Sequence, residues 1–222
     1  MPNLNDIWSH ISSAFAGNHQ DKAKKPKLYD FDLSGNAYKI RLLLNILGVD
    51  YAKQNVNLLK KEQKAAHYLK LNAFGEVPVF EDGDLRLRDS LAILIYVAGK
   101  YDLARSWWPV DAASQGLVSQ WLATAGHELK SASDARIAKV ANYDLDLPKL
   151  QDRAKALFNI IDAHLHGRDW LELGRPTIAD IAVFPYTALA EDGGISLEPY
   201  PNLRAWIERV KGLPGFIPLP GR

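Results

Sequence analysis

Leu71-Asn72-Ala73-Phe74-Gly75-Glu76-Val77-Pro78-Val79-Phe80-Glu81-Asp82-Gly83 runs on through Asp84-Leu85-Arg86-Leu87 into Arg88-Asp89-Ser90. Two apolar runs, residues 77–80 and 85–87, flank Asp82-Gly83 and predict a β-hairpin about that pair. Proline at the head of the first run is unusual for a central strand, because it removes a ladder donor. A trans proline at a sheet edge would account for it. A cis Val77–Pro78 bond would instead turn the chain and leave the Val77 N–H and C=O facing outward, free to pair with an extended peptide. Beyond the hairpin, Asp89-Ser90 caps an expected helix over residues 90–101. The Ser90 hydroxyl and N–H, with the helix dipole, favour a carboxylate there, while Asp89 favours an ammonium group. An α-amino acid end carries both groups, although the same pair also serves as an ordinary cap.

Upstream, strand-like and helix-like patterns alternate. Residues 27–32 read as a short strand. Residues 37–47 form a helix with an apolar stripe at Ile40, Leu43, Leu44 and Leu47, ended by Gly48. Residues 51–57 are a more polar strand and 61–71 a weak helix. The order βαβαββα is an α/β layer of about 75 residues, enough to close one core. Between the first strand and helix lies Leu33-Ser34-Gly35-Asn36. A hydroxyl and an amide there sit beside free N–H groups and the positive end of a helix dipole, a position that stabilises an anion. Either residue would also serve as a plain N-cap.

Downstream, residues 101–111 form a connector with Trp107, Trp108 and Pro109, and everything after it is helical in pattern: 112–132, 147–166, 178–190 and 201–213. Thr177-Ile178-Ala179-Asp180 is a capping box. At the other end, Leu4, Ile7, Trp8, Ile11 and Phe15 recur at helical spacing, followed by a lysine-rich linker, so residues 1–26 read as an extension.

Composition narrows the function classes. The 222 residues carry a formal net charge of +1, which argues against nucleic-acid binding. No apolar run approaches the ~20 residues of a membrane span, and no signal peptide is evident, so the expected location is the cytoplasm. The chain has no cysteine, which excludes protein disulfides, cysteine-based zinc sites and a cysteine nucleophile.

The three segments together resemble serine-type cytosolic glutathione transferases, bacterial or theta-like. The run 28–47 with Ser34, Asn36 and Lys39-Ile40-Arg41 is similar to that family's first βα unit; residues 71–83 resemble its cis-proline segment, and 87–96 its glutamyl-binding helix start. Arg175-Pro176-Thr177-Ile178-Ala179-Asp180 and Tyr200-Pro201-Asn202-Leu203-Arg204-Ala205-Trp206 match its helical half. The resemblance covers about residues 27–219. It implies an α+β/α two-domain fold: a thioredoxin-like βαβαββα domain at 27–101 and an all-helical bundle at 112–222. It implies that glutathione is the co-substrate, with no metal, and that small apolar electrophiles are conjugated by a homodimer. Ser34 would hydrogen-bond the sulfur with Asn36 in support, and Tyr29, within the strand, is the runner-up hydroxyl. Val77 before Pro78 would pair with the cysteinyl unit, Asp89 and Ser90 would hold the γ-glutamyl end, and Gln63 and Lys64 the glycine carboxylate. Trp121 and His127 are the candidates for the electrophile pocket. Ala37 stands where some bacterial relatives carry cysteine. Two other activities fit the same scaffold: glutathione-dependent disulfide reduction or peroxidase chemistry, and non-catalytic glutathione binding.

Overall fold

Strand β1 (Lys27–Asp30) starts a four-stranded mixed sheet in a computed structural model that describes residues 25–219. The amphipathic segment expected near the N-terminus lies outside the described residues. Helix α1 (Gly35–Ile46) crosses over to β2 (Ala52–Asn55), which pairs parallel to β1. The hairpin strands β3 (Val79–Asp82) and β4 (Leu85–Arg88) add antiparallel on the other side, giving the order β2-β1-β3-β4. The hairpin register pairs Asp82 with Leu85, so its two turn residues are Gly83 and Asp84, one position later than the sequence suggests. The expected helix at 61–71 is two short turns instead, a 3₁₀ turn at Glu62–Lys64 and α2 (Ala66–Leu69). Lys61 adopts a left-handed φ of +57°, which no continuous helix accepts.

Alternation along β1 buries Leu28 and Asp30 on the helix side of the sheet. A buried carboxylate needs a partner. Arg41 on α1 supplies it, with Nη1 at 2.7 and 2.6 Å from the two Asp30 oxygens. Helix α3 (Ser90–Tyr101) follows the hairpin and packs beside α1. The connector after it is anchored rather than loose: the Trp107 N–H donates to Asp102 and its carbonyl accepts from the Ile178 N–H.

The helical half comprises α4 (Ala112–Gly126), α5 (Lys130–Val140), α6 (Leu147–His164), α7 (Ile178–Ala188) and α8 (Pro201–Lys211). The sequence pattern suggests one helix over 112–132; the chain breaks at 127–129, where fully buried Leu129 enters the core, and restarts as α5. Helix α7 is buried along nearly its whole length and packs on α1, α3, α4 and α8, so one continuous core joins the two halves. A smaller cluster of Val56, Tyr68, Val77 and Val79 fills the opposite face of the sheet.

Asp180 organises the entry to α7. Its Oδ2 accepts from the Thr177 N–H at 2.8 Å, while Oδ1 accepts from the Leu171 N–H at 3.1 Å and the Trp206 indole N–H at 2.9 Å. Thr177 Oγ1 accepts in turn from the Ala179 N–H, completing the capping box. Burial pushes the Asp180 carboxyl above the usual carboxylate range, and the same hydrogen bonds pull it back. Substituting Asp180→Ala strands three buried donors at once, each of which costs ~1–3 kcal/mol. Urea unfolding should show a loss of about 3 kcal/mol or more; a loss below about 1 kcal/mol would contradict this role.

Candidate functional site

Two helix N-termini, those of α1 and α3, open into one cleft of about 460 Å³ between the sheet layer and the helical half. At the first, Ser34 is the N-cap of α1, and its Oγ accepts from the Ala37 N–H at 3.2 Å. That bond uses an oxygen lone pair and leaves the hydroxyl proton to donate elsewhere. The turn leading to Ser34 is held by two arginines: Arg41 Nη2 donates to the Asp32 carbonyl at 2.9 Å, and Arg136 Nη1 on α5 donates to the Leu33 carbonyl at 3.2 Å.

At the second, Asp89 caps α3 through Oδ1, which accepts from the Leu91 and Ala92 N–H groups. Its φ of +73° is strained for a non-glycine residue, by roughly 1–3 kcal/mol. Ser90 Oγ reaches Asn36 Oδ1 at 3.4 Å, and the same oxygen accepts from Lys39 Nζ at 2.9 Å. The Asn36 amide therefore ties the two helix starts together.

Between them lies Val77, joined to Pro78 by a cis bond. The Glu76 carbonyl accepts from the Tyr68 hydroxyl and the Asn72 amide, which fixes the approach to it. The Val77 backbone N–H and carbonyl make no hydrogen bond among the described residues, so an extended peptide would find a free edge there. Gln63 and Lys64 line the far end; Lys64 Nζ donates to the Phe74 carbonyl, and the buried Gln63 Oε1 has no partner among the described residues.

Ser34, Asn36, Gln63, Lys64, Val77, Asp89 and Ser90 thus line one cleft. Trp121 and His127, the electrophile-pocket candidates, do not line this cleft. Trp121 is buried, with its indole N–H on Glu172 at 3.0 Å, and His127 is solvent-exposed outside the cleft. On helix α4 the indole is core, and the helix break turns His127 away. The helical wall is formed instead by Ala125, Gly126, Lys130, Ser133, Asp134 and Ile137. Tyr29 is also off the cleft, its hydroxyl donating to Glu81 at 3.0 Å.

This arrangement has parallels among known proteins. The family model described as "Glutathione S-transferase, N-terminal domain" matches residues 25–99, and "Glutathione S-transferase, C-terminal domain" matches 134–214. A crystal structure of glutathione S-transferase from Pseudomonas fluorescens superposes with a TM-score of 0.82 at 30% identity, covering 88% of this chain and 98% of that one. The chain belongs to the glutathione S-transferase family. Glutathione S-transferase 3 of Zea mays is 29% identical over 213 residues, 87% of this chain and 95% of the maize protein. A glutathione transferase homologue from Drosophila mojavensis, solved with bound glutathione, has a TM-score of 0.78 at 29% identity, covering 86% and 89% of the two chains. Like these relatives, the protein is a transferase built on a thioredoxin-like domain and a helical domain. Among its described residues, no helix is long and apolar enough to cross a membrane and no cluster of acidic or histidine side chains would hold a metal.

Lys39 and Tyr186 are among the cleft residues that escape sequence reasoning. Lys39 Nζ lies 5.5 Å from the centre of the Tyr186 ring. A helix lysine is ordinarily solvent-exposed, yet Lys39 is 1% exposed. The only available signal was its i, i+3 spacing from Asn36. Burial pushes its ammonium group down to about 8, against the attraction of Asp89. A lysine with a depressed folded-state value sheds its proton on the folded protein first. The unfolded chain keeps the proton up to its ordinary value of 10.5, so this group's contribution to stability grows between pH 8 and 10.5. Across that window, unfolding free energies of the wild type and Lys39→Met should diverge in favour of the wild type by up to about 3 kcal/mol. A pH-independent difference would contradict the burial of the charge.

Proposed function

We propose that this cleft binds glutathione and that the protein conjugates its thiolate to small electrophiles, with Ser34 as the hydroxyl on the sulfur. The observation that carries the reading is the order of groups along one cleft. A hydroxyl donor at a helix start, a free backbone edge and an acidic N-cap beside a serine match the thiol, the cysteinyl unit and the γ-glutamyl end of one tripeptide. We assign Val77 to the cysteinyl backbone, Asp89 and Ser90 to the γ-glutamyl group, and Lys64 with the Gln63 amide to the glycine carboxylate. We place the glutathione-binding unit at 27–101 and the second-substrate wall in 112–222, within a two-fold homodimer in the cytoplasm.

Energetics define what Ser34 contributes. A thiol with a pKa of ~8.5 is about 3% ionised at pH 7, and lowering it by ~2 units makes it mostly thiolate. That needs ~2.7 kcal/mol, within reach of one charge-assisted hydrogen bond and a helix N-terminus. Nucleophilicity falls as the thiol becomes more acidic, with a slope of ~0.4–0.5, so a ~25-fold gain in thiolate nets about threefold in rate. Holding the electrophile against the sulfur must supply the larger share. The wall assigned to that task mixes Ala125, Gly126 and Ile137 with Lys130, Ser133 and Asp134. It suits an electrophile with an apolar body and a polar substituent better than a purely apolar one.

Ser34→Ala should raise the pH midpoint of kcat/KM by about 1–2 units and lower turnover at neutral pH, with a smaller change in glutathione affinity. An unmoved midpoint would remove Ser34 from the mechanism. Glutathione-dependent disulfide reduction, assayed in parallel, should be slower than conjugation; the reverse would favour the reductase reading.

A further inference from the structure

We propose that Lys39, buried in helix α1, is the cation that receives the α-carboxylate of the ligand's γ-glutamyl unit, so that the amino-acid end is held between two opposite charges, Lys39 and Asp89. The inference rests on the reading of this cleft as a glutathione site and adds a binding residue to it.

Lys39 has fewer partners than its burial demands. An ammonium group carries three N–H donors. Asn36 Oδ1 accepts from one of them at 2.9 Å, and among the described residues no other acceptor is in hydrogen-bond reach and no carboxylate lies within 4.0 Å. A charge that is 1% exposed and met by a single amide oxygen lacks the counter-ion that buried charges require. The burial has a visible cause. The Tyr186 ring lies 5.5 Å from Nζ and packs against the first residue of α1, where a Cβ built on Gly35 would lie 2.7 Å from Tyr186 Cε1.

The neighbours of this charge select the end of the ligand it serves. Ser90 Oγ reaches the same Asn36 oxygen at 3.4 Å, so Lys39 Nζ and the α3 start meet at one atom. Ser34 Oγ is turned instead toward the Ala37 N–H of its own helix. Asp89 attracts the Lys39 charge without touching it, since its Oδ1 accepts from the Leu91 and Ala92 N–H groups. Both charges line the cleft as a separated pair. A zwitterionic amino-acid end completes the two at once, with its ammonium on Asp89 and its carboxylate on Lys39 beside Ser90. The other cations in or beside the cleft are engaged. Lys130 is paired with Asp134 at 2.7 and 2.8 Å, Lys64 donates to the Phe74 carbonyl at the far end, and the Arg88 guanidinium stacks 4.0 Å from the centre of the Phe74 ring.

Binding through this group moves a proton. Burial holds the Lys39 ammonium at about 8 in the free protein, so at pH 8.5 the group is largely neutral. A carboxylate arriving beside it favours the charged form, and Lys39 takes a proton from solution. Asp89 from α3 faces it, as do the Tyr186 phenol from α7 and, across the cleft, Lys130, Asp134 and Arg136 from α5. The α5 charges are already paired, Lys130 with Asp134 and Arg136 with Asp192. Burial keeps the phenol protonated. Lys39 is left as the group that answers the ligand's charge.

The test compares wild type with Lys39→Gln, which keeps an N–H donor for Asn36, on two ligands. One is S-methylglutathione, whose methyl cap removes thiol ionisation from the proton count. The other is the same molecule with 4-aminobutyrate in place of glutamate, which lacks only the α-carboxylate. By calorimetry at pH 7 the variant should bind S-methylglutathione about 10- to 100-fold more weakly than wild type. It should bind the analogue within about threefold of wild type. At pH 8.5, in buffers of different ionisation heat, wild type should take up about half a proton more per S-methylglutathione than the variant does. No loss on S-methylglutathione would overturn the assignment, and so would equal losses on both ligands, which reveal a structural role. If the analogue binds too weakly to compare, the proton count decides, and equal counts overturn the assignment. In each of these cases a wild type that binds S-methylglutathione keeps the glutathione reading; a wild type that binds neither ligand ends that reading, and the assignment with it.

Discussion

A carboxylate sealed away from water must be met by donors, and Asp180 meets its own from three separate parts of the chain. The Thr177, Leu171 and Trp206 donors fix the start of α7, the loop before it and the following helix α8 around one side chain. Helix α7 is then the pillar on which α1, α3 and α4 pack. Six residues separate Asp180 from Tyr186, about 9 Å along the axis. The buried acid therefore sets where the phenol meets the first turn of α1, and through that contact how the helical half sits on the cleft.

The cleft itself follows from paired constraints on exposed-looking polar groups. The carbonyls of Asp32 and Leu33 are each held by an arginine, one from α1 and one from α5, so the turn carrying Ser34 is clamped from both halves. Asn36 bridges Lys39 and Ser90 and so locks the α1 start to the α3 start. Groups held this way are ordered before any ligand arrives. That fixed geometry is the source of the orientation on which the proposed chemistry chiefly depends.

The fold was legible because each element carried a local signal: the stripe of α1, the alternation about Gly83, the Asp89 cap of α3 and the box before α7. The sheet-layer side of the cleft, which the proposal gives to glutathione, was legible for a related reason. Ser34, Val77 and Asp89 sit at chain features, a cap, a proline and a helix start, that short-range physics marks. The helical wall of the cleft was not, because its members are scattered over α4, α5 and α7 and meet only through tertiary packing. Trp121 misled for the same reason: an indole on a helix looks alike in sequence whether it faces a cleft or, as here, a buried glutamate. The break at 127–129 was hidden because neither glycine nor proline stands within it; Leu129 turns inward for burial, a preference that sequence period cannot place to the residue.

A crystal structure of the protein soaked with glutathione would test the central claim most directly. The account predicts the sulfur within hydrogen-bond distance of Ser34 Oγ, the cysteinyl backbone paired with Val77, and the γ-glutamyl end at Asp89 and Ser90. A tripeptide bound with its sulfur on another hydroxyl, or lying outside this cleft, would contradict it.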